Sequence, residues 1–209
     1  MTMKLRKIII IICFFNFAGQ INMASSVEKN VKTTADLTQG KEVEMENPKI
    51  TMKLKYGEVK IELFNDVAPN HVKRILTLSR EGKYDGVAFH RVIDGFMAQT
   101  GDVQHGNTKK SFNPSMAGTG GSDLPDLKAE FNNIPHERGT LSMARSQNPD
   151  SANSQFFICF AKHSHLDRQY TAFGKVTSGM EFVDQIKKGV PGSGSVDNPD
   201  IIEKIIVEK

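Results

Sequence analysis

The 209-residue chain has no tryptophan and only two cysteines, Cys13 and Cys159. Cys13 lies in an apolar N-terminal run, so removal of that run would leave Cys159 alone and exclude an intrachain disulfide. Cys159 is embedded in the apolar run Phe156–Phe160, which favours a buried small side chain. Stability must therefore come from a hydrophobic core rather than from disulfide cross-links.

The chain also has no excess of basic over acidic residues once the N-terminal segment 1–26 is subtracted. Lys4, Arg6 and Lys7 precede the apolar run 8–17 and then small residues, which is typical of a secretory signal peptide over residues 1–26. The run is too short for a permanent membrane anchor, which needs about 20 residues. Cleavage removes three of 27 basic residues and no acidic one, which leaves 24 of each sign. Nucleic-acid binding through bulk charge, and stable membrane insertion, are therefore not expected.

The remaining chain divides into a polar arm and one folded domain. Residues 27–48 are rich in charged and small polar residues, which predicts a flexible arm. Residues 49–209 have a globular composition and are expected to form the domain.

The last residues carry no retention signal, and the only Asn-x-Ser/Thr triplet, Asn113-Pro114-Ser115, is blocked by proline. We expect a periplasmic, monomeric protein.

Apolar periodicity in this domain predicts mainly β structure. Residues 50–54 and 59–63 alternate around Tyr56-Gly57, as a β-hairpin does. Residues 69–81, with Pro69 near the start and Gly82 after the end, predict a helix, and His71 is expected on its surface. A second helix is predicted over residues 179–188. Further short strands are predicted at 141–144, 155–160, 171–176 and 201–207, and the Gly-rich stretch 105–133 predicts long loops. Many short strands with two helices favour a closed antiparallel barrel.

The central stretch of the domain runs from Phe89 to Asp102. Strand alternation places Arg91 on one face between Phe89 and Ile93, which is unusual for a residue that is rarely buried. The residues alone leave two readings of Arg91, a solvated side chain at the rim of the sheet or a functional cation beside an apolar surface. His90 should face the other way, which favours a hydrogen-bonded core histidine over a general base.

The run from Tyr84 to Gly101, Y-D-G-V-A-F-H-R-V-I-D-G-F-M-A-Q-T-G, resembles the signature of the cyclophilin family of peptidyl-prolyl isomerases. Further matching motifs follow in order along the chain: Gly118–Gly121, Gly139–Ala144, Asn153–Ile158, Leu166-Asp167 and Phe173–Val176. The resemblance covers roughly residues 49–209. It implies a closed eight-stranded antiparallel β-barrel capped by two α-helices.

The resemblance also implies the activity, the substrate and the site. The expected reaction is cis–trans isomerisation of X–Pro bonds in unfolded or partly folded polypeptides, without a cofactor or a metal. Arg91 is the expected catalytic residue. The expected substrate-binding residues are Phe96, Met97, Gln99, Thr119, Ala144, Arg145, Gln155, Phe157, Leu166 and Tyr170. A proline-peptide-binding chaperone with little turnover is the alternative from another functional class.

Two positions depart from the family pattern. The family often has tryptophan directly before the leucine that matches Leu166, and this chain has His165 there. Because that tryptophan assists binding of cyclosporin, we expect weak cyclosporin binding. Tyr170 occupies a position that is often histidine, and its ring with a polar tip should preserve activity.

Other kinds of site have little support in the sequence. A zinc site at His163 and His165 lacks further ligands, and Ser142 lacks the nucleophile elbow of serine hydrolases.

Overall fold

The computed structural model describes residues 46–110 and 112–209. The predicted signal peptide and most of the predicted arm lie outside the described residues. In chain order, the strands and helices are β1 Lys49–Leu54, β2 Gly57–Leu63, α1 Pro69–Arg80, β3 Arg91–Ile93, β4 Met97–Thr100, β5 Thr140–Met143, β6 Phe156–Cys159, β7 Ala172–Ser178, α2 Met180–Asp184 and β8 Lys204–Val207. A 3-10 turn, Ser164–Leu166, lies between β6 and β7.

The strands form one antiparallel eight-stranded sheet in the order β3-β4-β6-β5-β7-β2-β1-β8. The mainly β architecture with two helices is therefore confirmed, but the sheet is a half-barrel and the predicted closed barrel is not shown. The ladder ends at β3 and β8 because the chain that leads into β8 meets the region of β3 only through single bridges, Arg91 to Ser195 and Ala88 to Ile201. Gly192 and Gly194 in that stretch adopt left-handed φ values of 87° and 75°, which regular strands do not have.

The helix prediction is correct for α1 and too long for α2. Helix α1 begins at Pro69 and ends two residues before Gly82, as the pattern indicates. Helix α2 ends at Asp184 because the following backbone bonds elsewhere: the Lys187 N–H donates to Asp200 and the Gly189 N–H donates to the Val92 carbonyl. These contacts with neighbouring segments replace the last predicted turn.

The sheet separates a large core from a small apolar cluster on its other face. Strand β6 shows the division most clearly, because Phe156 and Ile158 pack in the main core while Phe157 and Cys159 belong to the second cluster. Met97 and Leu166 complete the buried part of that second cluster. Among the described residues, no helix has the length and apolar character needed to cross a membrane.

Candidate active site

Cross-strand pairing places four chemically different side chains in one row. Arg91 on β3 pairs with Gln99 on β4, Gln99 pairs with Phe157 on β6, and Phe157 pairs with Ser142 on β5. Residues that pair directly across a sheet point to the same face. Adjacent strands lie about 4.8 Å apart, so the backbones of Arg91 and Phe157 are separated by about 10 Å. Gln99 lies between them, so the row places a guanidinium, an amide and an aromatic ring side by side on one face.

The turn between β3 and β4 brings two neighbouring residues to this face. Simple alternation would separate Phe96 from Met97, but β3 ends at Ile93 and β4 begins at Met97. Gly95 occupies the left-handed region with φ 68°, which glycine adopts without the penalty of a side chain. Phe96 therefore lies in the turn and packs against the second apolar cluster, of which Met97 is a member.

A cavity of about 210 Å3 lies over this face. All of the residues that line it are predicted site residues: Arg91, Phe96, Met97, Gln99, Ala144, Arg145, Phe157, Leu166 and Tyr170. The Tyr170 ring meets the Phe157 ring edge-on, with the ring centroids 5.8 Å apart. The structure therefore joins strands β3, β4 and β6, the two residues that follow β5, and the segment 166–170 in one pocket that is apolar on its floor.

Arg91 is half-buried at the wall of this cavity. Its Nε donates to the Ser193 carbonyl at 3.1 Å, and its Nη1 lies 3.4 Å from Oε1 of Gln99. The remaining N–H groups of the guanidinium have no acceptor among the described residues, and a guanidinium offers five donors. The geometry thus favours the functional reading of Arg91 over a solvated residue at the rim.

The other two predicted residues, Thr119 and Gln155, line a second cavity of about 460 Å3 beside the first. The two cavities share Gln99, Ala144 and Arg145. Gln99 donates through Nε2 to Oε1 of Gln155 at 3.0 Å, and Gln155 donates to the carbonyls of Gly118 and Gly120. A hydrogen-bond chain therefore runs from Arg91 to the glycine loop that forms the wall of the second cavity.

Beneath the Phe157 ring lies a contact network that sequence reasoning missed. His136 Nε2 lies 2.9 Å from Oγ of Ser142, and His136 Nδ1 lies 3.0 Å from Oδ1 of Asp167. The imidazole stacks on Phe157 with the ring centroids 6.3 Å apart. Ser142 is fully buried and also donates to the Thr171 carbonyl, so this Ser–His–Asp arrangement has no access to a substrate and supports the pocket floor. No local sequence pattern indicates that His136, Ser142 and Asp167 meet.

The remaining histidines near the site hold no metal cluster. His163 and His165 lie beside Phe96, with ring centroids 4.7 and 6.0 Å from the phenylalanine ring. Within residues 46–110 and 112–209, no three His, Cys, Asp or Glu side chains are grouped as metal ligands. His90 is buried and does not line the cavity, and burial lowers the pKa of its imidazole. Burial of Cys159, as predicted, raises the pKa of its thiol to about 12.

Comparison with known proteins agrees with this geometry. Residues 49–207 match the family described as cyclophilin type peptidyl-prolyl cis-trans isomerase/CLD. A probable peptidyl-prolyl cis-trans isomerase of Brucella suis is 59% identical over 160 residues, which cover 76% of this chain and 82% of the relative. A peptidyl-prolyl cis-trans isomerase of Helicobacter pylori is 40% identical over 160 residues, covering 75% of this chain and 84% of the relative.

Solved structures of cyclophilins are also similar to this chain. A cyclophilin type peptidyl-prolyl cis-trans isomerase of Cryptosporidium parvum, crystallised in the presence of the dipeptide Ala-Pro, is similar with a TM-score of 0.63 at 29% identity. The match covers 77% of this chain and 99% of that one. A cyclophilin from Hirschia baltica matches with a TM-score of 0.62 at 26% identity, covering 76% of this chain and 73% of that one. The chain belongs to the cyclophilin family and is a peptidyl-prolyl cis–trans isomerase.

Proposed function

We propose that the cavity of about 210 Å3 holds the proline ring of the substrate and that Arg91 stabilises the twisted peptide bond. One observation carries the proposal: the Arg91 guanidinium, with unused donors, lines the same small cavity as the rings of Phe96 and Phe157. The apolar floor suits the proline ring, and the guanidinium suits the polar amide beside it.

The magnitude of the barrier defines what the site must supply. Rotation about an X–Pro bond is opposed by a barrier of about 18–20 kcal/mol and takes about 10–100 s unassisted. A turnover of roughly 10³ s⁻¹ requires four to five decades of acceleration, or about 5–7 kcal/mol. No bond is broken and no proton is transferred, so tighter binding of the twisted amide than of the planar amide is sufficient.

Arg91 supplies part of this energy. When the amide twists, its nitrogen lone pair no longer conjugates with the carbonyl and can accept a hydrogen bond from the guanidinium. One charge-assisted hydrogen bond contributes about 1.5–3 kcal/mol. The remainder must come from holding the proline ring while the preceding carbonyl rotates, and from an apolar surround that strengthens the contact with Arg91. In this proposal Gln99 and Gln155 bind the substrate backbone, and Thr119 and Arg145 shape the second cavity.

The proposal includes the cellular setting. The N-terminal pattern at residues 1–26 supports export to the periplasm, where the isomerase acts as a monomer on unfolded or partly folded chains. Mass spectrometry of the mature N-terminus in a periplasmic extract tests export. An intact residue 1 in a cytoplasmic fraction would contradict it.

The mechanism is tested by substitution of Arg91. Arg91→Ala should lower kcat/KM for a proline tetrapeptide by about 10- to 150-fold, which corresponds to one lost charge-assisted hydrogen bond. Arg91→Lys should recover only part of this loss, because lysine lacks the planar fork. Arg80→Ala, at the exposed end of α1, is the matched control. An unchanged rate in Arg91→Ala would overturn the mechanism, and tight peptide binding with no turnover in the unaltered protein would favour a binding module.

A further inference from the structure

The cavity that we assign to proline is lined by two arginines and by no acidic residue. Arg91 donates only to the Ser193 carbonyl and to the amide oxygen of Gln99. Arg145 donates only to backbone carbonyls, those of Ser146, Gln147 and Gln169. Within the described part of the chain, neither guanidinium lies within 4.0 Å of a carboxylate oxygen. Two positive charges at one small cavity are therefore not neutralised by the protein.

Arg145 is held in place at the boundary between the two cavities. Its Nη1 lies 2.9 Å from the Ser146 carbonyl oxygen, its Nη2 lies 3.0 Å from the Gln169 carbonyl oxygen, and its Cζ lies 4.4 Å from the centre of the Tyr170 ring. The side chain is half-buried and lines both cavities. A substrate that extends from the proline cavity into the second cavity must pass this guanidinium, whose conformation is fixed before binding.

Two acidic side chains near this region, Asp126 in the second cavity and Asp167 next to Leu166, have other partners. Asp126 lines the second cavity but not the first, and its Oδ1 accepts a hydrogen bond from Nδ2 of Asn153 at 2.9 Å. Asp167 accepts from the backbone N–H of His136 and lies 3.0 Å from the His136 ring. His163 and His165, which lie beside Phe96, supply no negative charge. A cleft lined by charge of one sign concentrates ligands of the other sign.

We propose that this isomerase prefers X–Pro bonds flanked by an acidic side chain, and that Arg145 determines the preference. The inference rests on the proposed function, because it takes the cavity beside Arg145 as the proline site. Arg91 is occupied by the reacting amide, which leaves Arg145 to pair with a substrate carboxylate. Only one of its two Nη2 hydrogens has an acceptor among the described residues, and the second is the donor for this contact.

The test compares capped peptides that differ only beside the proline. Acetylated, amidated peptides of equal length carry Glu, Gln or Lys on one side of the Ala-Pro unit or on the other. At low salt, kcat/KM for the Glu peptide should exceed that for the Gln peptide by about two- to fivefold on at least one side, with Lys below Gln. The preference should decrease towards unity at 1 M NaCl, where the screening length is about 3 Å. Equal rates for Glu and Gln peptides on both sides at low salt would overturn the proposal.

Three variants test whether Arg145 determines the preference for acidic peptides. Arg145→Gln should reduce the Glu/Gln ratio to about one, and Arg145→Lys should keep most of it because the charge remains. Arg168→Gln is the matched control: it removes an exposed arginine that donates to Asn133 and does not line the cavity, so it should keep the ratio. A ratio unchanged in Arg145→Gln, or lost equally in Arg168→Gln, would contradict the assignment to Arg145. If Arg145→Gln fails to fold, the folded Arg145→Lys variant provides the test. A Glu/Gln ratio of about one in that variant would contradict the proposal that the positive charge at residue 145 determines the preference.

The two proposals fail in different ways. The kcat/KM for the Gln peptide reports the proline site itself and should fall about 10- to 150-fold in Arg91→Ala. The Glu/Gln ratio reports only the acidic preference. A normal effect of Arg91→Ala with a ratio of one would therefore reject the preference and keep the proposed mechanism.

Discussion

His71 and Glu130 contact each other across 59 residues of sequence, with His71 Nδ1 2.7 Å from Oε2 of Glu130. The same carboxylate accepts the backbone N–H groups of Asn70 and His71 in the first turn of α1. The residue before this helix, Ala68, offers no side-chain acceptor, so Glu130 caps the helix from a distant loop. His71 is fully buried, and the expected surface position is wrong because Glu130 supplies the buried partner.

We expect stability to fall when the pH decreases from about 7 to about 5. Burial lowers the pKa of His71, against the attraction of Glu130, and burial likewise lowers the pKa of His136. The unfolded chain takes up protons on both imidazoles near pH 6.5 while the folded chain does not, so acid favours unfolding. Each histidine contributes at most about 1.4 kcal/mol per pH unit. Urea unfolding at several pH values between 5 and 7.5 measures the slope.

The contribution of His71 is isolated by His71→Gln. Glutamine can still donate to Glu130 but does not titrate, so the dependence of unfolding free energy on pH should become shallower in this variant. A slope equal to that of the unaltered protein would show that His71 binds protons equally in both states.

Asp102 should be important for both stability and the second cavity. This buried side chain accepts four backbone N–H groups, from Gln104 and His105 through Oδ1 and from Gly118 and Gly120 through Oδ2. In Asp102→Asn one acceptor is replaced by a donor that faces N–H groups, with an expected cost of about 2–4 kcal/mol in unfolding free energy. KM for peptides that reach the glycine loop should rise. Asp123→Asn, an exposed acid in the same loop region, is the control, and equal effects of the two variants would refute this role.

Cys159 should not react with thiol reagents in the folded protein. The thiol is buried, and its pKa is raised to about 12 by burial, so little thiolate exists at pH 8. Labelling of Cys159, located by peptide mapping, should occur only as fast as the protein unfolds and should be complete in denaturant. Rapid labelling at pH 8 without loss of structure would contradict the buried position.

Cyclosporin should bind weakly, and His165→Trp should strengthen binding roughly fivefold or more through one added hydrogen bond and ring contact. His165 is exposed and lies beside Phe96, which lines the cavity that we propose for proline, so an indole there is accessible to a large ligand. Lys162→Trp, an exposed position in the same segment, is the control. Titration calorimetry measures the affinities, and submicromolar binding by the unaltered protein would contradict the prediction.

Most strands and the helix α1 were predicted from the sequence, because each is determined by residues that are close together in the chain. The β1–β2 hairpin, α1 and the break between β3 and β4 all follow from alternation, Pro69 and Gly95. The pocket residues came from motif resemblance, and the pairing of Gln99 with Phe157 then explains why the motifs converge.

The features that the sequence did not predict depend on hydrogen bonds between residues far apart in the chain. The early end of α2 depends on Asp200, and the network of His136 and Ser142 depends on Asp167, which lies 31 residues from His136. Nothing in the local sequence of these residues indicates such partners, because each alone is an ordinary polar residue in a loop or strand. The open ladder between β3 and β8 likewise depends on how the segment 189–202 turns, which periodicity does not encode.

Strand β1 pairs on one side with β2 and on the other with β8, so the earliest and latest strands of the domain are neighbours. A ribosome delivers β1 long before β8, and the sheet stays incomplete until residues 204–207 emerge. Contacts of such large sequence separation make folding slow. The sheet of a nascent chain therefore lacks its β8 edge until synthesis of the domain is almost complete, and strand β1 is paired on only one side until then.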